Sequence, residues 1–325
     1  MRVTVTGATG LIGSQLVAAL KGRGDEAVVL SRDPERALRS LERSTTPAGG
    51  GTTSSASSGA VAGSLRTVAW NPTDELAPAS GLAGSDAVVH LAGEAIAQRW
   101  SAAAKQTIRA SRVEGTHNLV RGIAALAPQE RPRTLVSSSA IGYYGPHGDE
   151  PIDEEAPPGQ GFLAQTCVAW EAAADAAEKI GLRVVKVRTG VLLDPAGGAL
   201  AKMLPPFRLG VGGPVAGGRQ YVSWIVPDDL LGIMLAALDD ERWRGAVNAT
   251  APQPVRNAEL SKALGRALHR PALLPVPGLA LKAIYGEMSE VVTTGARVVP
   301  VKALMNGYEF RYQQLDAALQ SVLSQ

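Results

Sequence analysis

The chain has 325 residues, and its 32 lysines and arginines nearly balance its 30 aspartates and glutamates. This length allows one large domain or two modest ones with a substantial buried core. The charge balance gives no global basic field, so nucleic acid is excluded as an expected partner.

Targeting and metal signals are also missing from the sequence. No apolar run approaches the roughly 20 residues that span a bilayer, and the first strand begins too early for a signal peptide, so no membrane partner is expected. A single cysteine, Cys167, excludes an intramolecular disulfide, and with four scattered histidines it gives no metal-site spacing. We expect a soluble cytoplasmic protein without a metal.

Strand and helix patterns alternate through the first 190 residues, which implies right-handed crossovers and a parallel sheet. Strands are predicted at residues 3–6, 27–30, 65–70, 87–91, 134–137 and 184–188, and helical patterns at 16–20, 34–41, 101–126 and 162–180. Residues 44–64 hold almost no large apolar side chain and are predicted to form a floppy surface insertion.

The turn after the first strand has a spacing that indicates a bound dinucleotide. Its glycines follow the pattern G-x-x-G-x-x-G between a predicted strand and a predicted helix, the context that makes such a pattern informative. Glycines let the backbone approach a phosphate, and a helix N-terminus offers unpaired N–H groups and a positive dipole end. The predicted pyrophosphate contacts are Gly7, Thr9, Gly10, Leu11, Ile12 and Gly13.

The end of the second strand indicates which dinucleotide is bound. NAD-binding proteins carry an acidic residue there for the ribose 2′-hydroxyl, whereas NADP-binding proteins carry a cation. Arg32 lies at this point, and a guanidinium can hold a 2′-phosphate with two hydrogen bonds, so Ser31 and Arg32 are predicted 2′-phosphate contacts. Asp33 could instead bind a ribose, with Arg32 a solvated cation. The pattern favours NADP over NAD.

Beyond residue 190 the alternation ends. Glycine and proline are dense at 197–218, and shorter helices are predicted near 228–238, 257–268 and 315–323. The predicted fold class is α/β, with a Rossmann-type doubly wound parallel sheet and a smaller C-terminal lobe. Residues 1–190 would form the NADP-binding core, and residues 191–325 a substrate-side lobe with some segments returning to the core.

Four further segments occur in the order found in the extended short-chain dehydrogenase/reductase superfamily, which the chain resembles over nearly its whole length. They are His-Leu-Ala-Gly at 90–93, Ser-Ser-Ser-Ala at 137–140 followed by Tyr-Gly at 144–145, Val-Arg-Thr-Gly at 187–190, and Ser-Trp-Ile-Val-Pro-Asp-Asp-Leu at 223–230. The resemblance implies further cofactor contacts from Leu91, Ala92, Gly93, Glu94 and Val191.

A narrower set of motifs resembles the atypical epimerase family protein group, family 39U, which has its own small C-terminal domain. Leu-Ala-Gly-Glu-Ala-Ile at 91–96, Ser-Ala-Ile-Gly-Tyr-Tyr-Gly at 139–145 and Trp-Glu-Ala-Ala at 170–173 match the group, and residues 295–310 resemble its C-terminal domain. This resemblance implies NADP binding and a Rossmann core. The insertion at 44–64 departs from the group's usual short connection.

Ordinary members of the superfamily use a Tyr-x-x-x-Lys pair that this chain lacks, because the matching positions hold Leu163 and Cys167. Leucine carries no proton, and a thiol among apolar neighbours is typically a small packed side chain. Three residues could replace the pair, and each could equally be structural: Ser139, Tyr143 and Tyr144. Arg99 and Arg219 are candidate substrate contacts, the second by resemblance to an arginine that contacts substrate phosphates in epimerases.

These observations predict an NADP-dependent oxidoreductase or epimerase-like enzyme that acts on a small polar substrate. The alternative is a non-catalytic NADPH-binding sensor or scaffold protein, which the missing Tyr-x-x-x-Lys pair favours. The Gly/Pro-rich residues 197–218 favour the enzyme, because mobile loops over a cleft commonly gate substrates. Neither the substrate nor the oligomeric state can be predicted.

Overall fold

A computed structural model describes residues 1–45 and 63–324. Seven strands form a parallel sheet, and the order reverses beside the first strand of the chain, as in doubly wound folds. From edge to edge the strands are Gly245–Ala249, Arg183–Thr189, Thr134–Ala140, Ala87–His90, Arg2–Thr6, Glu26–Ser31 and Leu65–Ala69. The predicted Rossmann-type α/β fold is confirmed, including the six predicted strands.

Helices follow most of the strands, with ends that differ in places from the predicted ones. The second helix reaches Thr45 rather than residue 41, and the pattern over 162–180 splits into an α-helix and a 3₁₀ turn at Glu178–Ile180. The longer helices are Leu11–Gly22, Pro34–Thr45, Ala102–Ala124, Phe162–Asp175, Gly198–Arg208, Pro227–Asp239, Asn257–Ala267, Gly278–Tyr285 and Leu315–Leu323. No helix in the described ranges is long and apolar enough to cross a membrane.

Three short two-stranded pairings lie outside the main sheet, and short helical turns complete the chain. The pairs are Val191–Asp194 with Trp224–Ile225, Tyr221–Val222 with Val255–Arg256, and Pro151–Ile152 with Arg297–Val298. The short α-helices are Ala79–Leu82, Glu290–Thr293 and Val301–Met305, and the remaining 3₁₀ turns are Pro128–Glu130, Ile141–Tyr144 and Gly286–Ser289.

The chain divides into two compact units, and it enters each of them more than once. The first comprises Met1–Gly93, Glu114–Ser137 and Ala173–Val184, and the second Glu94–Val113, Ser138–Ala172 and Val185–Gln325. The functional division predicted at residues 190 and 191 stays a prediction. The predicted insertion at 44–64 lies, except for its two ends, outside the described residues.

The Gly/Pro-rich stretch of the second unit is not the run of loops that its composition predicts. Residues 198–208 form a helix that contains Pro205 and Pro206, although each proline removes a backbone donor. Leu200, Leu204 and Phe207 recur at helical spacing and are buried in the core of this unit. Their burial outweighs the helix-breaking tendency of the prolines.

A buried carboxylate fixes the C-terminal segment to the second unit. Asp229, at the start of helix Pro227–Asp239, accepts hydrogen bonds from the backbone N–H of Arg311 (2.8 Å) and from the hydroxyl of Tyr308 (3.2 Å). One turn later, a Cβ at Gly232 would lie 2.1 Å from that hydroxyl oxygen. The Asp-Asp pair at 228–229 and the Gly-Tyr-Glu-Phe segment at 307–310 are therefore joined through Asp229.

Candidate functional site

The glycine turn of the first unit is shaped so that side chains are excluded from it. Gly7 has a φ of +68°, and a Cβ there would lie 2.7 Å from the carbonyl carbon of Leu91. A Cβ at Gly13 would lie 2.3 Å from the carbonyl oxygen of Gly7. The N–H of Gly10 donates to that same carbonyl (3.0 Å) and closes the turn. Glycine is therefore required at positions 7 and 13.

Helix Leu11–Gly22 starts directly from this turn. Among the described residues no side chain caps it, and its first turn carries no acidic residue. The positive end of the helix dipole is therefore available to an anion. Thr9 and Gly10 are exposed, while Leu11 and Ile12 are half-buried. The predicted pyrophosphate contacts thus form one continuous cradle, and their contact with a cofactor stays a prediction.

A buried histidine and a threonine hold the turn that faces Gly7. Thr6 Oγ1 accepts the N–H groups of Leu91 and Ala92 (both 3.2 Å), so its own proton is directed to Nδ1 of His90 (2.7 Å). Nε2 of His90 then carries the ring proton and donates to Thr116 Oγ1 (3.0 Å). Burial lowers the pKa of His90 to about 4, so the ring is neutral at physiological pH.

We expect this histidine to make the protein sensitive to acid. Its pKa is about 4 in the folded protein and 6.5 when unperturbed, so the unfolded chain binds the proton first as the pH falls. The contribution of neutral His90 to the free energy of unfolding is fully present above pH 6.5, and about 3 kcal/mol of it is lost as the pH falls to 4. Chemical denaturation at a series of pH values measures this loss.

The matched variants for this measurement are His90→Gln and His117→Gln, since His117 is exposed. His90→Gln should remove the slope of about 1.4 kcal/mol per pH unit between pH 4 and 6.5, whereas His117→Gln should keep it. An unchanged slope in His90→Gln would contradict the assignment.

At the end of the second strand the two charged candidates have different surroundings. The carboxylate of Asp33 accepts the N–H of Arg36 (2.9 Å) and caps helix Pro34–Thr45. Ser31 Oγ accepts the N–H of Asp33 (3.2 Å) and donates to its carbonyl (3.1 Å). Arg32 is exposed. Asp33 is exposed as well, but its carboxylate also caps the helix.

The remaining predicted cofactor contacts fall in both units. Gly93 is exposed and closes the first segment of the first unit. Glu94 lies in the second unit, where its N–H donates to Ser111 Oγ (2.9 Å) and its carbonyl accepts from Arg112 Nη1 (2.9 Å). Val191 is half-buried and begins the short strand paired with Trp224–Ile225. Their contacts with a cofactor stay predictions.

The second unit contains a buried ion pair that no sequence motif identified. Arg188, on strand Arg183–Thr189, donates two hydrogen bonds to the carboxylate of Glu171, from Nε to Oε1 and from Nη2 to Oε2, each 2.8 Å. Ser139 Oγ donates to the same Oε1 (2.6 Å). Burial alone would lower the pKa of Arg188, but the hydrogen bonds and charge of Glu171 raise it above its ordinary value. The pair is therefore charged.

Two tyrosines surround the guanidinium of this pair. Arg188 Nη1 donates to the hydroxyl of Tyr144 (2.8 Å), which in turn donates to Asn248 Oδ1 (2.8 Å). Burial raises the pKa of Tyr144 to about 12. The guanidinium of Arg188 lies over the ring of Tyr143, with Cζ 3.5 Å from the ring centroid. The backbone N–H of Asn248 donates to the buried Glu154 (2.9 Å), which extends the network.

The three candidate catalytic residues thus meet around one arginine, in different states. Ser139 and Tyr144 are buried and direct their hydroxyl protons into the network, which favours a positioning role for both. Tyr143 is half-buried. The structure agrees that the positions of the missing pair are inert, since Leu163 packs in an apolar cluster and burial raises the pKa of Cys167 to about 11.

The two candidate substrate arginines lie far apart in sequence and are both exposed. Arg99 lies beside Gly286: a Cβ added at Gly286 would be 3.9 Å from the Arg99 side chain. Arg219 lines an open pocket of about 680 Å³ in the second unit, and its carbonyl accepts from Arg256 Nη1 (2.6 Å). Arg256 also pairs with Asp149 (2.9 Å) across this pocket. Substrate contact by Arg99 or Arg219 stays a prediction.

Arg188 and Glu171 lie within the motifs at 187–190 and 170–173, but sequence reasoning assigned neither of them a role and did not single out Asn248. A weak signal was present, because Arg188 lies in a predicted strand of the sheet, and an arginine is almost never fully buried without a partner. The partner could not be found from spacing, since Glu171 lies seventeen residues earlier on a helix and only the fold brings it against the strand of Arg188. In residues 1–45 and 63–324 no three His, Cys, Asp or Glu side chains are grouped to hold a metal ion.

The sheet order and the glycine cradle define a Rossmann-type protein with a turn of the dinucleotide-binding kind. The chain belongs to the NAD dependent epimerase/dehydratase family, whose family model matches residues 3–249. Residues 276–322 match a domain of unknown function, DUF1731. The resemblance to the 39U group is confirmed.

Relatives and a solved structure support this membership over the full length. The chain is 39% identical over 323 residues to the chloroplastic epimerase family protein SDR39U1 homolog of Arabidopsis thaliana, covering 99% of this chain and 87% of that protein. It is 36% identical over 329 residues to human epimerase family protein SDR39U1, with both chains fully covered. The crystal structure of human SDR39U1 isoform 2 with NADPH superposes with a TM-score of 0.82 at 32% identity, covering 100% and 99% of the two chains.

Proposed function

We propose that the protein binds NADPH at the glycine cradle and is an oxidoreductase or epimerase-like enzyme for a small polar substrate. The observation that carries the proposal is the exclusion of Cβ atoms at Gly7 and Gly13 beside an uncapped helix start, which leaves backbone N–H groups for a pyrophosphate. The human relative whose solved structure contains NADPH supports the same cofactor. The proposed compartment is the cytoplasm, although one relative is chloroplastic.

The proposed preference for NADPH over NADH rests on the residues that follow strand Glu26–Ser31. The Asp33 carboxylate caps a helix, which leaves the exposed Arg32 to bind the 2′-phosphate. A bidentate, charge-assisted contact of this kind contributes about 1.5–3 kcal/mol.

We expect Arg32→Ala to weaken NADPH binding by roughly ten- to a hundred-fold and to leave NADH binding unchanged, because only NADPH carries the 2′-phosphate. Fluorescence titration with each nucleotide measures both affinities. Arg36→Ala, at an exposed arginine in the third position of the next helix, is the matched control and should bind NADPH as wild type. Equal losses for the two nucleotides would contradict the 2′-phosphate contact.

In the enzyme that we propose, bound NADPH would supply the hydride, and the protein would orient the substrate and move the proton. Tyr143 is the candidate proton donor, because the hydroxyl protons of Ser139 and Tyr144 are already donated to partners in the buried network. The Arg188 cation against its ring favours negative charge that develops on the phenol oxygen.

The second candidate function is an NADPH-binding sensor without turnover, and the inert Leu163 and Cys167 support it. Incubation of the NADPH complex with carbonyls and of the NADP⁺ complex with nucleotide sugars, followed by nicotinamide absorbance and product analysis, separates the two, because a carbonyl accepts the hydride of NADPH whereas a sugar alcohol must first give a hydride to NADP⁺. NADPH oxidation or an epimerised product that is lost in Tyr143→Phe supports the enzyme. NADPH binding without either result supports the sensor.

A further inference from the structure

Two segments of the second unit, residues 208–216 and 269–276, lie side by side although about sixty residues separate them. The N–H of Val276 donates to the carbonyl of Pro214 (2.8 Å), and Arg270 Nε donates to a carbonyl of the other segment (3.2 Å). Further backbone bonds join Leu274 to Gly212 and Ala216 to Val276. The two segments therefore present one surface.

This surface carries large aliphatic side chains that face solvent. Leu209 and Leu273 are 77% and 80% exposed, and Val211 and Leu274 are 50% and 54% exposed. Single exposed leucines need no explanation, but a contiguous apolar group marks an interaction site. We call these four residues, together with Arg208, His269 and Arg270, the basic-apolar surface.

The charge of the basic-apolar surface selects an anionic occupant. Arg208, His269 and Arg270 are all exposed. No aspartate or glutamate occurs in residues 195–227 or 260–286, which contain both segments. A second copy of the chain on a two-fold axis would bring cations against cations, so the occupant carries the opposite charge.

The backbone of this surface suits a lipid environment. Pro271, Pro275 and Pro277 have no N–H groups, and the N–H groups of Leu209, Val211 and Leu274 are bonded within the protein. Backbone donors without partners are costly at a membrane, whereas a protein partner could satisfy them.

We propose that the basic-apolar surface attaches the protein peripherally to bilayers that contain anionic lipids. The leucines enter the headgroup region while the arginines meet lipid phosphates. The next helix, Gly278–Tyr285, carries a further exposed leucine, Leu279 (83% exposed). No membrane partner was expected from the sequence, because the surface is assembled from two segments and neither is a spanning run.

The test is co-sedimentation of the full chain with vesicles of phosphatidylcholine alone or mixed with phosphatidylglycerol. We expect the protein to sediment with the mixed vesicles only, and less so in high salt. The double variant Arg208→Gln/Arg270→Gln should bind roughly 30-fold more weakly, and Leu273→Ser/Leu274→Ser should also lose binding. Met305→Ser, a 79% exposed side chain outside the surface, is the matched control and should bind as wild type.

Four results would overturn the proposal. The first is wild-type protein that stays in the supernatant with mixed vesicles, and the second is full binding by both double variants. The third is a dimer, seen by light scattering, that Leu273→Ser/Leu274→Ser abolishes, since a second copy would then cover the surface. Retention on poly-glutamate beads without vesicle binding would assign the surface to an acidic protein segment instead. NADPH titration of the same variants keeps this test separate from the proposed cofactor site.

Discussion

We expect the Gly13→Ala variant to lose NADPH binding, by at least ten-fold in affinity, and to unfold more easily than wild type. The added Cβ would lie 2.3 Å from the Gly7 carbonyl oxygen and 2.7 Å from the Ala8 Cα, and both neighbours are backbone. The turn must therefore shift, at a cost of about 1–3 kcal/mol typical of overpacking. Its amide groups then no longer converge on a pyrophosphate. Nucleotide titration and chemical denaturation measure the two losses.

The same helix provides a control for this variant. Nothing lies within 4 Å of the Cβ position at Gly22, and alanine is favoured over glycine in a helix by about 0.5–1 kcal/mol. Gly22→Ala should bind NADPH as wild type and be as stable or slightly more so. If Gly13→Ala also binds NADPH normally, the cradle is not the cofactor site.

The Arg188→Met variant should lose about 3–5 kcal/mol of stability, because it leaves the Glu171 carboxylate buried without its cation. Both side chains of the pair are buried, and two hydrogen bonds of 2.8 Å join them. The loss is measured as the change in the free energy of unfolding in urea. If Arg188→Met is too unstable to purify, Glu171→Gln, which keeps the shape and part of the hydrogen bonding, should give a smaller loss.

An exposed ion pair in the same unit is the comparison. Arg266 bonds Asp316 at 2.6 Å, but both side chains are more than half exposed. Arg266→Met should therefore change stability by less than about 1 kcal/mol. Similar losses for Arg188→Met and Arg266→Met would show that the buried network does not hold the second unit together.

Local patterns predicted most of the fold and the glycine turn that is the candidate cofactor site. Six strands and the glycine turn were visible because alternation, β-branched residues and glycine spacing are properties of neighbouring residues. The strand Gly245–Ala249 was missed, because a segment of five residues is too short to show a clear alternation of apolar and polar side chains. Helix Gly198–Arg208 was missed because proline and glycine content outweighs a three-residue apolar stripe when only the sequence is considered.

The residues around the missing catalytic pair show the opposite case. Ser139, Tyr143 and Tyr144 were selected by their motif, but their states depend on Arg188, which reaches them from a different strand. Packing decides that the Ser139 and Tyr144 hydroxyls are hydrogen-bonded in the buried network and that Tyr143 is half-buried. No spacing within one segment contains that information.

By itself, the sequence determined the α/β class, the glycine turn between the first strand and the first helix, and the lack of a Tyr-x-x-x-Lys pair, and it left Arg32 and Asp33 as alternatives at the end of the second strand. Each of these depends on residue types within a few positions of one another. Only the tertiary structure decided that Asp33 caps a helix, that Glu171 and Arg188 form a buried pair, and that residues 208–216 and 269–276 share one exposed surface. Those features join residues that are distant in the chain or depend on one hydrogen-bond geometry, and chain folding alone brings them together.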